Sequence, residues 1–373
     1  MKDQYRRKLQ VPGTGQSLGF IALLLLLSVK FVDILSCSGG WMESTQHDTA
    51  AFNLQTKTIF IDMRFPTNRP IGLNKRACLR DCSDLELRIL SRQHCFSGYT
   101  FPEKKALVFT RHHIVDWNFH PSFPRSRPNR WWVEIQPVDR QSIPPIPHSF
   151  KEFSTIRDEN DVPLYFERWQ RMKPFRLQNE RQVVLWRPGN AFVRTAVLVI
   201  VGEHFSFCVD RDYSSATNIL NVLSNDRESR GHACRGGGGL FVDFLLDSNG
   251  RSAENDYLIR QAAEDYLSLI GDYGIIGSDG EANSGSNKWQ IVKSTHPWRE
   301  GRSLIRPGDI SWKEEGVVAS DAVATDMVIS WADLGDWEVF ESSLKISELE
   351  QLFQMREFCN FNRSKLYLKY FLT

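Results

Sequence analysis

The sequence contains no block of like charge. Its 46 lysines and arginines are balanced by 45 acidic residues, both signs are interspersed, and the formal charge is +1. Because no run of basic side chains is available to displace counterions from a phosphate backbone, we do not expect nucleic-acid binding through a basic face.

The sequence also lacks the short motifs of common active sites. It contains no Walker motif, no HExxH pair and no EF-hand loop. One G-x-S-x-G match, at residues 15–19, has no strand before it, so the context that exposes a nucleophile is missing. The four glycines at 236–239 precede a predicted strand, so no helix amino terminus is available for a phosphate. We therefore expect no cofactor and favour a non-enzymatic function.

Cysteine is too sparse for a disulfide-stapled scaffold, with seven in 373 residues. Cys78 and Cys82 are close in sequence, but zinc sites usually add a matching second pair, which is absent here. We interpret both as small buried residues on one side of a helix, and we expect no metal site.

The amino-terminal residues have the profile of a signal peptide. A basic segment, 1–17, precedes the apolar run 18–29, and small residues follow at 36–40. We predict a cleaved signal peptide or signal anchor over residues 1–40, with membrane attachment through 18–36 if it stays uncut. The expected location is the secretory pathway, secreted or membrane-anchored, with a cytoplasmic protein as the alternative.

Aromatic residues are abundant, at 12%, and they favour pleated, half-buried surfaces. Segment 58–65 alternates apolar and polar positions for eight residues and forms a predicted hairpin with 51–54. Further predicted strands cover 106–117, 131–136, 164–169, 183–187, 192–201, 204–210, 240–246 and 288–294. Many short strands with short connections predict antiparallel barrels or a sandwich.

Two segments depart from this β pattern. In 74–93, Cys78, Cys82, Leu85 and Ile89 recur at helical spacing, which predicts one helix with a single apolar stripe. Residues 121–147 hold seven of the 16 prolines, and because proline cannot occupy central strands, we predict an insertion made mostly of loop.

Two strands carry candidate polar sites. Asp62 and Arg64 share a strand face and form either a structural ion pair or a pair that orients a ligand. His112 and Asp116 also share a face by alternation, whereas His113 points the other way. A histidine and a carboxylate are what acid-base chemistry requires. Strand positions i and i+4 are about 13 Å apart, however, so any catalytic pair needs a partner from elsewhere.

The segment 294–301 ends a predicted strand in a polar turn. Trp298 of this turn could close a barrel mouth, with Arg299 and Glu300 at the rim. A closing loop held by a salt bridge is the ordinary interpretation, and a binding rim is the functional one.

Several stretches, taken in order, resemble an uncharacterised conserved protein family of bacteria and some eukaryotes that is similar to lipocalin-like β-barrel proteins. The stretches are DT and LQT within 48–56, FxDxRFP at 60–66, FSG at 96–98, YxExW at 165–169 and STxPWREG at 294–301. The resemblance spans residues 41–304. The resemblance implies a barrel fold, no established activity and a cytoplasmic location. Trp169 is the last residue of the YxExW stretch. More remotely, the chain resembles two-barrel fungal proteins that interact with a casein kinase, which implies a protein partner.

We therefore predict an all-β protein of two lipocalin-like antiparallel β-barrels, with one short helix in the first. The predicted parts are a signal segment (1–40), a first barrel (41–200) with the proline-rich insertion 121–147, a second barrel (201–345) and a C-terminal helical tail (346–373). The tail is expected to dock on the body or to lie on a membrane.

The favoured function is non-enzymatic binding of a small apolar ligand or a protein partner. The alternative is an enzyme, a hydrolase or isomerase, that uses His112 with Asp62 or Asp116 as acid and base. A third hypothesis is a scaffold whose barrel interior is filled by side chains. The expected ligand contacts are Asp62, Arg64, His112, Trp169, Trp298 and Arg299.

Overall fold

The fold is known from a computed structural model. It describes residues 39–43, 48–103, 108–121, 125, 128–135, 149–172, 181–189, 193–212, 215, 238–247, 253–278, 287–304, 337–345, 348–349 and 352. The predicted signal segment up to residue 38, much of the proline-rich insertion and most of the predicted tail lie outside these ranges.

Eight antiparallel strands form a closed barrel in which each strand pairs with the next and β8 pairs back onto β1. The strands are β1 (Gly39–Glu43), β2 (Thr49–Gln55), β3 (Ile59–Pro66), β4 (His94–Pro102), β5 (Val108–Asp116), β6 (Asn129–Ile135), β7 (Ser149–Ser154) and β8 (Phe166–Arg171). The prediction of an all-β fold with a closed barrel is confirmed. Residues 129–135 of the predicted insertion form β6, which confirms the strand predicted over 131–136.

A second antiparallel sheet follows, with the strand order β13-β12-β11-β10-β9-β14. Its strands are β9 (Gln182–Arg187), β10 (Ala196–Val201), β11 (His204–Val209), β12 (Ile270–Ser278), β13 (Asn287–Ser294) and β14 (Glu338–Ser342). Within the described ranges its outer strands β13 and β14 do not pair, so this sheet differs from the second closed barrel that we predicted. Because β9 and β10 belong to this sheet, the two sheets divide between Arg171 and Gln182, earlier than the predicted boundary near residue 200.

The described residues include three α-helices, α1 (Asp84–Ser91), α2 (Gly238–Leu246) and α3 (Ala253–Leu267). The predicted strand over 240–246 was wrong, because these residues lie in α2; a short continuous apolar run fits a buried helix as well as a strand. Among the described residues, no helix has both the length and the hydropathy needed to cross a bilayer.

Helix α1 begins later than the spacing predicted. Ser83 caps it, since its Oγ accepts the Glu86 N–H at 3.3 Å while the Glu86 carboxylate accepts the Ser83 N–H at 2.7 Å. Leu85, assigned to the apolar stripe, is 68% exposed, whereas Leu87 and Leu90 are buried. Both cysteines of the predicted stripe precede the helix.

The main apolar core lies between the barrel and the second sheet. Outward-facing residues of β3, such as Ile61 and Met63, belong to one buried cluster with Val197 and Val199 of β10. The other face of β10 belongs to a second buried cluster, which explains why all six of its residues are buried. Leu349 and Leu352 of the predicted tail also lie in this second cluster, so that part docks on the body.

One irregularity in the barrel changes which side chains share a face. Ser97 of β4 pairs with Val115, but the next residue, Gly98, pairs with His113, so Ile114 is an extra residue in β5. The bulge places His113, and not His112, on the same face as Asp116. Our prediction from simple alternation was therefore wrong, because it assumed a regular strand.

Gly98 is needed at this bulge because a Cβ atom there would lie 1.9 Å from the His112 carbonyl oxygen. We expect Gly98→Ala to lower the free energy of unfolding by about 3 kcal/mol, as overpacking against backbone does. Gly277→Ala is the matched control, because it is also a strand glycine and its added Cβ would meet nothing within 4 Å. Urea denaturation checks this, and equal effects of the two substitutions would contradict it.

Candidate functional site

The barrel interior is lined partly by packed aromatic rings. Trp41, Phe150 and Trp169 are buried, with ring centroids 4.7 Å apart for Trp41 and Phe150 and 6.3 Å apart for Phe150 and Trp169. Ala51, Phe109 and Val133 complete this buried group. Trp169, predicted to contact a ligand, is therefore a fully buried part of the interior packing.

Five charged side chains from four strands fill another part of the interior, and we call them the interior charge cluster: Asp62, Arg64, Arg111, Glu152 and Glu167. Arg64 Nε lies 3.0 Å from Asp62 Oδ1, and its Nη2 lies 3.1 Å from Glu167 Oε2. Arg111 Nη1 lies 3.1 Å from Glu152 Oε1 and 3.9 Å from Asp62 Oδ2. The Asp62 and Arg64 pair predicted from sequence thus forms, as part of a larger network.

Three carboxyl groups face two guanidinium groups in this cluster, so the carboxyl groups differ from one another in pKa. Burial raises the pKa of Glu152 to about 7, and the charge of Arg111 offsets only part of that effect. Burial also acts on Asp62, but the nearby charges of Arg64 and Arg111 outweigh it and hold the pKa of Asp62 below its usual value. The interior is thus occupied by side chains that neutralise one another.

A pocket of about 220 Å³ opens at the end of the barrel where β5 finishes, and we call it the mouth pocket. Its wall has an apolar part, made by Ile114, Phe119, Pro121 and Pro128. The polar lining residues are His112, His113, Asp116, His120, Arg125 and Asp210. Roughly 300 to 1,000 Å³ is common for drug-sized ligands, so the mouth pocket fits a smaller molecule.

Asp116 organises the polar side of the mouth pocket. It accepts hydrogen bonds from His113 Nδ1 at 2.8 Å and from Arg125 Nε at 2.9 Å. Burial alone would raise the pKa of Asp116, but these two partners lower it to about 2, so it is a carboxylate at neutral pH. Arg125 also donates to Asn129 Oδ1 at 3.0 Å, and Asn129 Nδ2 lies 3.5 Å from His113 Nε2. His113 is therefore held in one orientation.

The other two histidines of the pocket have different surroundings. His112, predicted as the acid-base histidine, is exposed and packs its ring edge-on against Phe101, with centroids 5.3 Å apart. Burial of part of its ring lowers the pKa of His112. His120 Nε2 lies 3.1 Å from Ser215 Oγ, and burial lowers the pKa of His120 to about 3. No group of three potential metal ligands comes together within the described ranges.

Arg211, in the loop after β11, fixes the chain that forms the pocket wall. Its buried guanidinium donates to the carbonyl oxygens of Asp116 at 2.8 Å, Trp117 at 2.6 Å and Phe119 at 3.2 Å, and also to that of Tyr266 in α3 at 2.6 Å. Sequence reasoning missed Arg211, because nothing in the pattern after an apolar strand shows which distant carbonyl groups an arginine will meet.

Trp298 and Arg299 lie away from the mouth pocket. Trp298 belongs to the apolar core between barrel and second sheet, and Arg299 Nη2 lies 2.6 Å from Asp272 Oδ2 of β12. Ser294 Oγ donates to the same carboxylate at 2.6 Å. This turn is a buried structural element, in line with the ordinary interpretation of a closing loop.

No protein-family model matches the chain, and no curated protein matches it. Among solved structures, it is similar to the crystal structure of the uncharacterized protein YLR301w from Saccharomyces cerevisiae. That likeness has 12% sequence identity and a TM-score of 0.35, and it covers 82% of this chain and 98% of that one.

The protonation of Glu152 predicts a pH dependence of stability. Its pKa is about 7 in the folded protein against 4.5 ordinarily, so the folded state binds more protons than the unfolded chain between these values. This group therefore makes the free energy of unfolding fall as pH rises from 4.5 to 7. We expect Glu152→Gln to remove that decline and to stabilise the protein at pH 8 by on the order of 2 kcal/mol.

Urea denaturation at pH 5 and pH 8 measures this difference. Glu134→Gln is the control, because Glu134 lies on the neighbouring strand β6 with its side chain 45% exposed. Parallel pH profiles for wild type and Glu152→Gln would contradict the expectation.

The contacts of Arg211 predict that lysine cannot replace it. A lysine ammonium has three donors on a single nitrogen and cannot reach four carbonyl groups spread around a planar guanidinium. We expect Arg211→Lys to lower the free energy of unfolding by about 3 kcal/mol, as the loss of buried charge-assisted hydrogen bonds does. Arg168→Lys, on an exposed strand position, should have little effect in the same denaturation experiment. Full stability of Arg211→Lys would rule out this role.

Proposed function

We propose that the protein binds a small ligand in the mouth pocket without chemically changing it. The ligand would have an apolar or aromatic body and at least one hydrogen-bonding group. The observation that supports this most directly is the combination, in one pocket of about 220 Å³, of an apolar wall with polar groups already held by ion pairs.

The apolar wall suits a flat ring. Phe119 packs its ring under the Arg125 guanidinium, whose carbon lies 4.6 Å from the ring centroid, while Pro121 and Pro128 add rigid apolar surface. Such side chains lose little freedom when a ligand binds, and rigid walls bind with a smaller entropic cost.

The polar groups suit a hydrogen-bonding partner more than a free ion. The Asp116 carboxylate and the Arg125 guanidinium already neutralise each other. The imidazole groups of His113 and His120 also line the pocket, and Asp116 and Ser215 respectively hold them in place. A neutral ring that carries a donor or an acceptor fits this lining.

Our expectation from sequence placed an apolar ligand inside the barrel, near Asp62, Arg64 and Trp169. The interior charge cluster and the packed rings both lie inside the barrel, which supports the mouth in place of the lumen. Charged groups that are paired in a barrel interior are costly to separate, so an apolar ligand would have to disrupt the pairs to enter.

We expect Phe119→Ala to weaken ligand binding about tenfold, because it removes most of the aromatic wall. The probes are indole, benzimidazole and phenol, measured by calorimetry, beside native mass spectrometry of protein purified without denaturation to detect a retained molecule. Phe166→Ala is the matched control, since Phe166 is 49% exposed on the barrel. Absence of binding by all three probes together with an empty purified protein would refute the proposal.

A second candidate function is acid-base catalysis, favoured by one contact. His113 Nδ1 lies 2.8 Å from the Asp116 carboxylate, which fixes the tautomer, and a substrate would have to replace the 3.5 Å contact of Nε2 with Asn129 Nδ2. The earlier alternative of His112 with Asp62 or Asp116 gives way to this pair, because Asp62 bonds Arg64 and Asp116 bonds His113.

Hydrolysis of p-nitrophenyl acetate tests this candidate. An enzyme of this kind should lose its activity in His113→Gln and keep it in His112→Gln, which changes a neighbouring histidine of the same pocket. Equal rates for wild type and both variants would exclude it. The protein partner, membrane attachment through 18–36 and secretory location stay predictions.

A further inference from the structure

Two cysteines meet where the barrel contacts the second sheet. Cys95 lies on β4 of the barrel and Cys208 on β11 of the sheet, and both are fully buried in the apolar core between them. Both are thiols in the structure. They come from different sheets and lie 113 positions apart in the chain (208 minus 95).

A glycine makes room for their approach. Cys208 pairs directly with Gly271 of β12, so their Cβ positions face the same side of the sheet. A Cβ atom on Gly271 would lie 2.7 Å from Cys95 Sγ and 3.1 Å from Cys95 Cβ. The Cys95 side chain therefore occupies the space that the side chain opposite Cys208 would fill.

Directly opposite strand positions have Cβ atoms about 4.5 to 5.5 Å apart. The Cys95 side chain lies at the Gly271 position, and its thiol forms a hydrogen bond with Cys208. A disulfide needs Cβ atoms about 3.8 Å apart, so a small shift and a rotation of the side chains suffice.

The two thiols differ in reactivity between the folded protein and the folding chain. Burial, with a hydrogen bond that the Cys95 thiol donates to Cys208, raises the pKa of Cys95 well above its usual value, so the folded protein holds it as a thiol. Because the thiolate is the attacking species, exchange in the folded state is slow. Bond formation therefore belongs to folding, while the thiols are still accessible.

We propose that Cys95 and Cys208 form a disulfide that links the barrel to the second sheet when the chain folds in the presence of a small disulfide oxidant such as glutathione disulfide. One thiolate attacks the oxidant and releases one glutathione thiol, and the mixed disulfide forms. The second cysteine then attacks the mixed disulfide, which forms the protein disulfide and releases a second glutathione thiol. The two cysteines lose two hydrogens in total, and one glutathione disulfide becomes two thiols.

The link would act on the mouth pocket as well as on stability. The Cys95 carbonyl accepts the Trp117 N–H at 3.0 Å, just after Asp116. A covalent bond from Cys95 to the second sheet would therefore tie the chain beside the pocket to the same sheet that carries Arg211. Such a long loop is also the kind for which a disulfide restricts the unfolded chain most.

Refolding of the full chain tests the proposal. The reduced, denatured protein is refolded with a mixture of reduced and oxidised glutathione, or with dithiothreitol, then alkylated and digested without reduction. We expect a linked peptide containing Cys95 and Cys208 only in the glutathione sample, two hydrogens lighter than the separate peptides. Recovery of both cysteines as alkylated peptides from correctly folded protein in both samples would overturn it.

The stability of the oxidised protein gives a second readout. Its Tm should exceed that of the reduced wild-type protein by roughly 5 to 10 °C. The variant C95A/C208A should lose this difference, whereas C78A/C82A, which removes two cysteines near α1, should keep it. If C95A/C208A fails to fold, the wild-type comparison and the peptide map decide. An oxidised protein with an unchanged Tm and no linked peptide would contradict the proposal.

Discussion

The pairing of buried charges inside the barrel is the constraint on which the rest of the structure depends. Arg64 and Arg111 each contact two acidic side chains, and three of these four ion pairs join strands that are not neighbours in the barrel. An arginine buried in this way is stable only while a carboxylate remains beside it. The lumen therefore holds paired charges, and the binding that we propose lies at the end of the barrel where β5 finishes.

That end is shaped by the second sheet. Arg211 follows β11 and binds carbonyl groups of the barrel segment 116–119, while burial raises the pKa of its neighbour Asp210, which lines the mouth pocket, to about 6. The apolar core between barrel and sheet brings these groups together. The pocket is therefore a product of both sheets, although most of its wall comes from β5 and the loop that follows it. This explains why its geometry depends on residues far apart in the chain.

The sequence predicted the features that depend only on regular alternation of side chains along a strand. The hairpin of β2 and β3 followed from alternation with a buried face, and the same alternation placed Asp62 beside Arg64. It failed at Ile114, since one extra residue in a strand moves every later side chain to the other face and leaves no signal in the pattern. The strand prediction over 240–246 failed because these residues form part of α2, and a short apolar run has no period that separates a helix from a strand. The carbonyl contacts of Arg211 are tertiary and have no local pattern at all.

Binding at the mouth, with a closed lumen behind it, is tested most directly by an NMR titration with indole. The imidazole signals of His113 and His120 report on the mouth pocket, and the indole N–H signals of Trp41 and Trp169 report on the interior. We predict that the imidazole signals shift on titration while both interior indole signals stay unchanged. Shifts of the Trp41 and Trp169 signals with unchanged histidines would contradict this placement of the site.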